Sequence, residues 1–270
     1  MPRTEARPGL LHVRHVGRGT TVLLLHAFPL HGGMWTPQME ALRGRASLLA
    51  PDLPGCGLSS PPAAGGPPLS LDDYVGEVLA ALDTRRVDRV VVVGLGMGGQ
   101  LALRLVDELG ARLIGMLLSG TNAGAETEEI AARCHELAAE VEASGVEAAA
   151  DVFLPKVLGG TTQRVRPALF DEVHAMIRQN TATGIAAALR AMAARPDSTS
   201  RLPRLRCPVL CLAGEEDVFT PPELARATAE RIFGGRIQII PGAGHLTNLE
   251  APEAFDDALE GLLAECSPVS

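Results

Sequence analysis

The sequence has few aromatic residues, a single lysine and no long apolar run. Phenylalanine, tryptophan and tyrosine make up 3% of the 270 residues, and Lys156 is the only lysine. No segment approaches the ~18 uninterrupted apolar residues that a membrane span requires. Residues 1–10 contain arginines but no apolar core of the kind found in a signal peptide. We therefore expect no membrane partner and a cytoplasmic location.

The five cysteines are odd in number and scattered, which disfavours a secreted disulfide framework. Cys207 and Cys211 lie in an apolar, strand-like run without a partnering Cys or His pair, so we interpret them as buried thiols and not as zinc ligands. Asp52 is expected to accept hydrogen bonds from backbone at its turn. The sequence predicts neither a metal site nor a cofactor.

The charge balance is acidic, with 32 acids against 24 bases and a net charge of −8. Such a chain tends to repel nucleic-acid phosphates and anionic membrane surfaces, so we expect a small-molecule partner and no nucleic acid. The composition, 46% hydrophobic and 21% charged, is that of an ordinary globular protein. A chain of this length can bury a core without disulfide or metal staples.

Leucine-rich and β-branched runs alternate with helical patterns toward both ends of the chain. This alternation is typical of an α/β fold with a mostly parallel sheet flanked by helices. The predicted strands cover residues 21–28, 46–53, 89–94, 113–119, 208–213 and 236–240, and clear helical patterns cover residues 71–82, 100–109 and 254–263.

The alternation stops between residues 123 and 195, where only helical patterns occur. An all-helical insertion in such a chain most simply covers the carboxyl edge of the sheet, where open α/β sheets bind ligands. We therefore expect one α/β core, formed by residues 1–122 and 196–270, with a helical cap insertion at 123–195.

A glycine-rich segment, residues 94–99 (GLGMGG), follows the predicted strand at 89–94. Gly94, Gly96 and Gly99 fit the G-x-G-x-x-G fingerprint of NAD-type dinucleotide-binding proteins. That fingerprint also requires an acidic residue at the end of the next strand, but this strand ends in residues 119–121 (SGT). The second interpretation is a nucleophile elbow, G-x-S-x-G, with Gly96 in place of the serine.

An elbow predicts an acid and then a histidine further along the chain. Residues 214–217 (GEED) directly follow one predicted strand, and residues 242–245 (GAGH) directly follow the last one. The order of the candidate residues therefore favours the elbow over the dinucleotide interpretation.

In these features the chain resembles the α/β-hydrolase family, and within it the small-ester hydrolases related to 3-oxoadipate enol-lactonases. The resemblance extends from about residue 10 to residue 263. It is carried by residues 25–30 (LHAFPL), 34–38 (MWTPQ), 51–59 (PDLPGCGLS), 214–222 (GEEDVFTPP) and 241–252 (PGAGHLTNLEAP).

The resemblance implies a role for each matching residue. His245 is the expected general base and acid, and Asp217 is expected to hold its imidazole in one tautomer. The backbone N–H groups of Phe28 and Met97 are expected to form an oxyanion hole. Gly96 stands at the nucleophile position without a side chain, which excludes ordinary acyl-enzyme chemistry there.

Three accounts of Gly96 remain open at this stage. His245 and Asp217 could activate a water and hydrolyse a small carboxylic ester or lactone directly; loss of a triad serine typically leaves ~10³–10⁴-fold catalysis over water. The chain could instead be a non-catalytic, ligand-binding pseudoenzyme, or a serine hydrolase with a substituted nucleophile. We expect hydrolysis that is impaired or water-based, and a dinucleotide-binding protein is the remote alternative.

A few other side chains are weaker candidates. Cys56 could replace the nucleophile only if His245 lay within reach. We interpret His26 as an organiser of its loop and place His31 near the pocket mouth. Three arginines of the helical insertion could recognise a substrate carboxylate, or could lie on solvated helix faces: Arg178, Arg190 and Arg195.

Overall fold

A seven-stranded sheet forms the centre of the computed structural model, which describes residues 11–62 and 66–266. The strand order is β1-β3-β2-β4-β5-β6-β7. The strands are β1 (Val13–Gly17), β2 (Thr21–Leu25), β3 (Ser47–Pro51), β4 (Val90–Leu95), β5 (Leu113–Ser119), β6 (Val209–Gly214) and β7 (Arg236–Ile240). Only β1 runs antiparallel to its neighbour, so the predicted mostly parallel sheet is confirmed. The N-terminal segment that lacks a signal-peptide pattern lies outside the described residues.

Helices flank this sheet in the described part of the chain. They are α1 (Thr36–Leu42), α2 (Leu71–Thr84), α3 (Met97–Leu109), α4 (Glu128–Ser144), α5 (Glu147–Val157), α6 (Gly160–Val165), α7 (Ala168–Arg178), α8 (Ala182–Ala193), α9 (Pro222–Glu230), α10 (Thr247–Glu250) and α11 (Pro252–Cys266).

The central strands are buried because neighbours cover them on both sides. All six residues of β4 are buried, and its first four are valines. A strand that is covered on both faces has no need for polar residues in alternate positions, so its sequence is continuously apolar. This pattern is what made the central strands predictable, and β5 matches its predicted bounds residue for residue.

Strand β1 and helix α9 are among the elements that the sequence did not predict. Strand β1 is only half-buried along most of its length and carries Arg14 and His15, so its apolar pattern is weak. Helix α9 begins with a proline at its first position and uses alanines for its buried face. Neither element has the strong apolar periodicity on which the sequence interpretation depends.

Five helices, α4 to α8, connect β5 to β6, and no strand occurs in the fully described stretch between these two strands. The chain leaves the sheet and returns to it at one place: Ser198 N donates to Ala123 O at 2.8 Å, and Arg195 Nε donates to Gly124 O at 3.0 Å. Arg195 also forms an ion pair with Glu126. We refer to residues 123–195 as the helical segment.

Helix α2 begins with a reciprocal capping arrangement at Ser70. The Ser70 hydroxyl accepts from Asp73 N at 3.3 Å, and the Asp73 carboxylate accepts from Ser70 N at 2.7 Å. Each hydrogen bond satisfies a backbone donor that the helix itself leaves without a partner.

We expect Ser70→Ala to lower the free energy of unfolding by about 1 kcal/mol, because it removes this cap. Urea denaturation followed by circular dichroism measures the change. Ser60→Ala is the matched control, since Ser60 is exposed and its hydroxyl has no hydrogen-bond partner in the described residues. Equal losses in the two variants would contradict the capping role.

Candidate active site

The turn between β4 and α3 places Gly96 at the carboxyl edge of the sheet. Gly96 has φ 56° and ψ −116°, a backbone conformation that residues other than glycine rarely adopt. Its N–H donates to Ser119 O at 2.9 Å, which fixes the turn against β5. The glycine-rich segment therefore follows the fourth strand and forms a sharp strand-to-helix turn, as the elbow interpretation predicts.

His245 and Asp217 meet beside this turn from two different strand ends. His245 Nδ1 lies 2.8 Å from Asp217 Oδ2, and both side chains are buried. A carboxylate can only accept, so Nδ1 donates the proton in this hydrogen bond, and in the neutral ring Nε2 is the nitrogen with the lone pair. The other carboxylate oxygen of Asp217 accepts from Phe219 N at 2.9 Å and Thr220 N at 3.0 Å, which fixes the acid.

The His245 ring occupies space that a side chain at position 96 would need. A Cβ atom built on Gly96 would lie 2.8 Å from His245 Nε2, closer than ordinary van der Waals contact. A Cβ on Gly120, which has φ 51°, would lie 2.9 Å from both Cε1 and Nδ1 of the same ring. Two glycines thus allow the imidazole to close onto the turn, and sequence reasoning did not single out Gly120.

Glu250 holds the loop that carries His245, and sequence reasoning missed it. Its buried carboxylate accepts from the N–H groups on either side of the histidine, Gly244 N at 2.9 Å and Leu246 N at 3.0 Å. It also accepts from Gly159 N at 2.8 Å in the helical segment. The only sequence signal was an acid five positions after the candidate histidine, and its contacts could not be read from spacing alone.

Two backbone donors lie unused near Gly96. Neither Phe28 N nor Met97 N has a hydrogen-bond partner within residues 11–62 and 66–266. Both residues line the same cavity as Gly96 and His245. The structure therefore brings together all the residues that the resemblance singled out.

The cavity has a volume of about 670 Å³ and lies between the sheet edge and the helical segment. Three phenylalanines form one wall: Phe28 and Phe153 rings are 5.0 Å apart, and Phe153 and Phe219 rings are 5.7 Å apart. The Phe219 ring meets the His245 imidazole edge-on at 5.5 Å. The residues around His245 Nε2 thus combine a polar floor with an aromatic wall.

His26 and Asp52 organise the loops below this cavity. His26 Nδ1 donates to Ala27 O, and Nε2 accepts from Leu53 N, both at 3.0 Å, so His26 is the loop organiser that the sequence suggested. Asp52 accepts from Leu58 N at 2.9 Å and pairs with Arg14. Burial alone would raise the pKa of Asp52, but these two partners hold it below its usual value.

Of the five remaining candidate side chains, four do not line the cavity and one does. Cys56 is buried and does not line the cavity, and burial raises the pKa of its thiol to about 12. His31 is also absent from the cavity wall, and its ring accepts from Gly33 N at 3.0 Å. Arg178 and Arg190 pair with acids outside the cavity, whereas Arg195 lines it.

Two kinds of feature are absent from the described residues. No group of three or more His, Cys, Asp or Glu side chains there could hold a metal ion. No helix there is both long enough and apolar enough to cross a membrane.

Burial lowers the pKa of His26 from 6.5 to about 4. Between pH 6.5 and 4 the His26 imidazole is protonated in the unfolded chain but stays neutral in the folded protein. The free energy of unfolding therefore falls as the pH drops from 6.5 toward 4. His31 shifts in the same direction, again through burial. We expect about 2–3 kcal/mol of the stability at pH 7 to be lost at pH 4.5 through His26.

Urea unfolding of the wild type and of His26→Asn at pH 7 and pH 4.5 measures this contribution. It equals the loss of stability in the wild type minus the loss in the variant. His135→Asn, at an exposed position, controls for removing a histidine. The same pH dependence in wild type and His26→Asn would contradict the assignment.

Comparison with known proteins places this arrangement in a family. A sequence model of the alpha/beta hydrolase family matches residues 22–258. The chain is 26% identical over 269 residues to pimeloyl-[acyl-carrier protein] methyl ester esterase of Nitrosomonas europaea, covering 93% of this chain and 99% of that protein. It is also 26% identical to 3-oxoadipate enol-lactonase 2 of Acinetobacter baylyi, covering 85% of this chain and 83% of that protein.

Solved structures agree with the sequence comparison. A malate-bound thermophilic esterase from Thermogutta terrifontis superposes with a TM-score of 0.91 at 32% identity, covering 95% of this chain and 93% of that one. The enol-lactonase from Burkholderia xenovorans superposes with a TM-score of 0.86 at 25% identity, covering 94% and 96%. From its matching sequence and its sheet, the chain belongs to the alpha/beta hydrolase family.

Proposed function

We propose that the protein hydrolyses a small carboxylic ester or lactone with His245 and Asp217 as the working pair, and without a covalent acyl-enzyme. One observation carries this proposal: the lone pair of an Asp-oriented imidazole faces a cavity that also contains two unused backbone donors. The related esterases and enol-lactonases supply the substrate class.

The proposed reaction is direct attack by water. His245 Nε2 takes a proton from a water while the water oxygen bonds to the substrate carbonyl carbon. Phe28 N–H and Met97 N–H donate to the carbonyl oxygen as it gains negative charge. The imidazolium, stabilised by Asp217, then returns the proton to the leaving alkoxide as the C–O bond breaks. The products are an acid and an alcohol, or a hydroxy acid from a lactone.

Gly96 explains why water is the proposed nucleophile. The residue has no side chain to attack a carbonyl, and the His245 ring lies where a serine Cβ would have only 2.8 Å to Nε2. The base is therefore positioned over the turn itself. A serine at this position would have to displace the imidazole before it could use it.

We also propose that the helical segment, residues 123–195, acts as a cap on a core formed by residues 1–122 and 196–270. Helix α5 contributes Phe153 to the aromatic wall, and helix α8 contributes Leu189 and Met192 to the cavity. His245 N donates to Val157 O at 3.1 Å, so the cap is tied to the catalytic loop. A cap in this position limits the access of bulk water to the base.

The second candidate is a ligand-binding protein on the same fold without turnover. The missing side chain at Gly96 favours it, because loss of a triad serine typically lowers turnover ~10⁶-fold. The two candidate functions differ in one measurable respect. A hydrolase has a rate of ester hydrolysis that falls when His245 is substituted, whereas a binding protein has no such rate.

We expect slow hydrolysis of p-nitrophenyl acetate by the wild type and a ~10²–10⁴-fold lower rate for His245→Ala, because the general base is lost. His135→Ala, which removes an exposed histidine, is the matched control for unspecific imidazole catalysis and should keep the wild-type rate. Absorbance of released p-nitrophenolate measures all three rates.

Gly96→Ser separates the water mechanism from a disabled serine hydrolase. We expect a rate no more than about tenfold above that of the wild type, because the serine Cβ would stand 2.8 Å from the imidazole Nε2 and would disturb the base instead of gaining one. A wild type without activity, together with a Gly96→Ser rate higher by orders of magnitude, would overturn the proposed mechanism and leave the binding function.

A further inference from the structure

The cavity has one buried cation, and that cation is already neutralised. Of the two arginines among its described lining residues, Arg133 is exposed whereas Arg195 is 5% exposed. The Arg195 guanidinium pairs with the carboxylate of Glu126, a residue that also lines the cavity, and Arg195 Nε donates to Gly124 O at 3.0 Å. A substrate carboxylate that reached Arg195 would therefore meet the Glu126 carboxylate as well.

The remaining charges on the cavity wall are unfavourable for an anion. Glu136 and Glu140 are exposed and form no ion pair within the part of the chain that the structure describes. Arg133 Nη2 donates to Glu129 Oε1 at 2.7 Å, so this arginine already has an acidic partner. A carboxylate that leaves water for such a site loses its hydration without gaining a free arginine as a partner.

One wall of the cavity, opposite in character to its polar floor, is suited to apolar groups. The chain contains only six phenylalanines, and three of them, Phe28, Phe153 and Phe219, line this cavity. Their rings form a continuous row that ends on His245. Aromatic surface of this kind stabilises a bound ligand by removing apolar area from water, and it offers nothing to a carboxylate.

We infer that the site selects an ester or lactone whose acyl and alcohol parts are uncharged and largely apolar, and that Glu126 sets this selectivity by neutralising Arg195. The inference rests on the proposed function for the ester or lactone bond. The selectivity itself is a property of the cavity and is measured by binding, independently of turnover.

The same ion pair also ties the two ends of the helical segment together, because Glu126 precedes α4 and Arg195 follows α8. Its loss therefore affects structure as well as charge. The affinities of one variant for a neutral and for an anionic ligand separate these effects. A loosened cap weakens the binding of both ligands, whereas a freed guanidinium strengthens the binding of the anion alone.

The probes are 4-phenylbutanamide and 4-phenylbutyrate, which share a length and an aryl group and differ in charge. Isothermal titration calorimetry at pH 7 gives both dissociation constants. We expect the wild type to bind the amide about tenfold or more tightly than the carboxylate. In Glu126→Gln the carboxylate should bind about 10- to 100-fold more tightly than in the wild type, as a charge-assisted hydrogen bond to Arg195 forms.

Two variants control this result. Glu129→Gln also removes one negative charge next to an arginine, but Arg133 is exposed, so we expect the affinity ratio to change by less than about threefold. Adding Arg195→Met to Glu126→Gln removes the cation and should abolish the gain in carboxylate affinity. Together the two variants distinguish a freed Arg195 from a general change in surface charge.

Three results would overturn the inference: a wild type that binds the carboxylate as tightly as the amide, a Glu126→Gln variant without a gain for the carboxylate, or no measurable binding of the amide. Absence of ester hydrolysis would leave the binding result intact and would count against the proposed function alone.

Discussion

The arrangement of the site depends on the hydrogen bond between His245 and Asp217. The two residues follow different strands, β7 and β6, and meet at 2.8 Å at the carboxyl edge of the sheet. Asp217 is held by two backbone donors, and Glu250 holds the backbone on both sides of His245. Because Nδ1 of the ring donates to Asp217, Nε2 is the nitrogen that is left for a ligand in the cavity.

Gly96 and this hydrogen bond constrain each other. A His245 ring that is fixed by Asp217 approaches the turn so closely that a Cβ at position 96 would stand 2.8 Å from Nε2. Glycine accepts both this approach and the positive φ of the turn. The geometry therefore describes more than a missing serine: the imidazole Nε2 lies against the space that a side chain at position 96 would occupy, and this is why we propose that water attacks.

Much of the sheet and the identity of the candidate residues could be predicted from sequence. Central strands such as β4 are continuously apolar, and Asp217 and His245 directly follow strands, so their meeting at one edge follows from a parallel sheet. Half-buried β1 lacked such a pattern. Contacts between distant residues, such as Glu250 with Gly159 or Glu126 with Arg195, were also out of reach, because no local pattern specifies a partner 91 or 69 positions away.

Intact-protein mass spectrometry during turnover of p-nitrophenyl acetate, with the steady-state rate recorded in parallel, tests the central claim most directly. A base that activates water leaves no covalent intermediate, so we predict measurable hydrolysis with the protein mass unchanged throughout, and loss of that hydrolysis in Asp217→Asn. An acetyl adduct that forms and disappears at the rate of turnover would contradict this account, as would hydrolysis that survives the loss of Asp217.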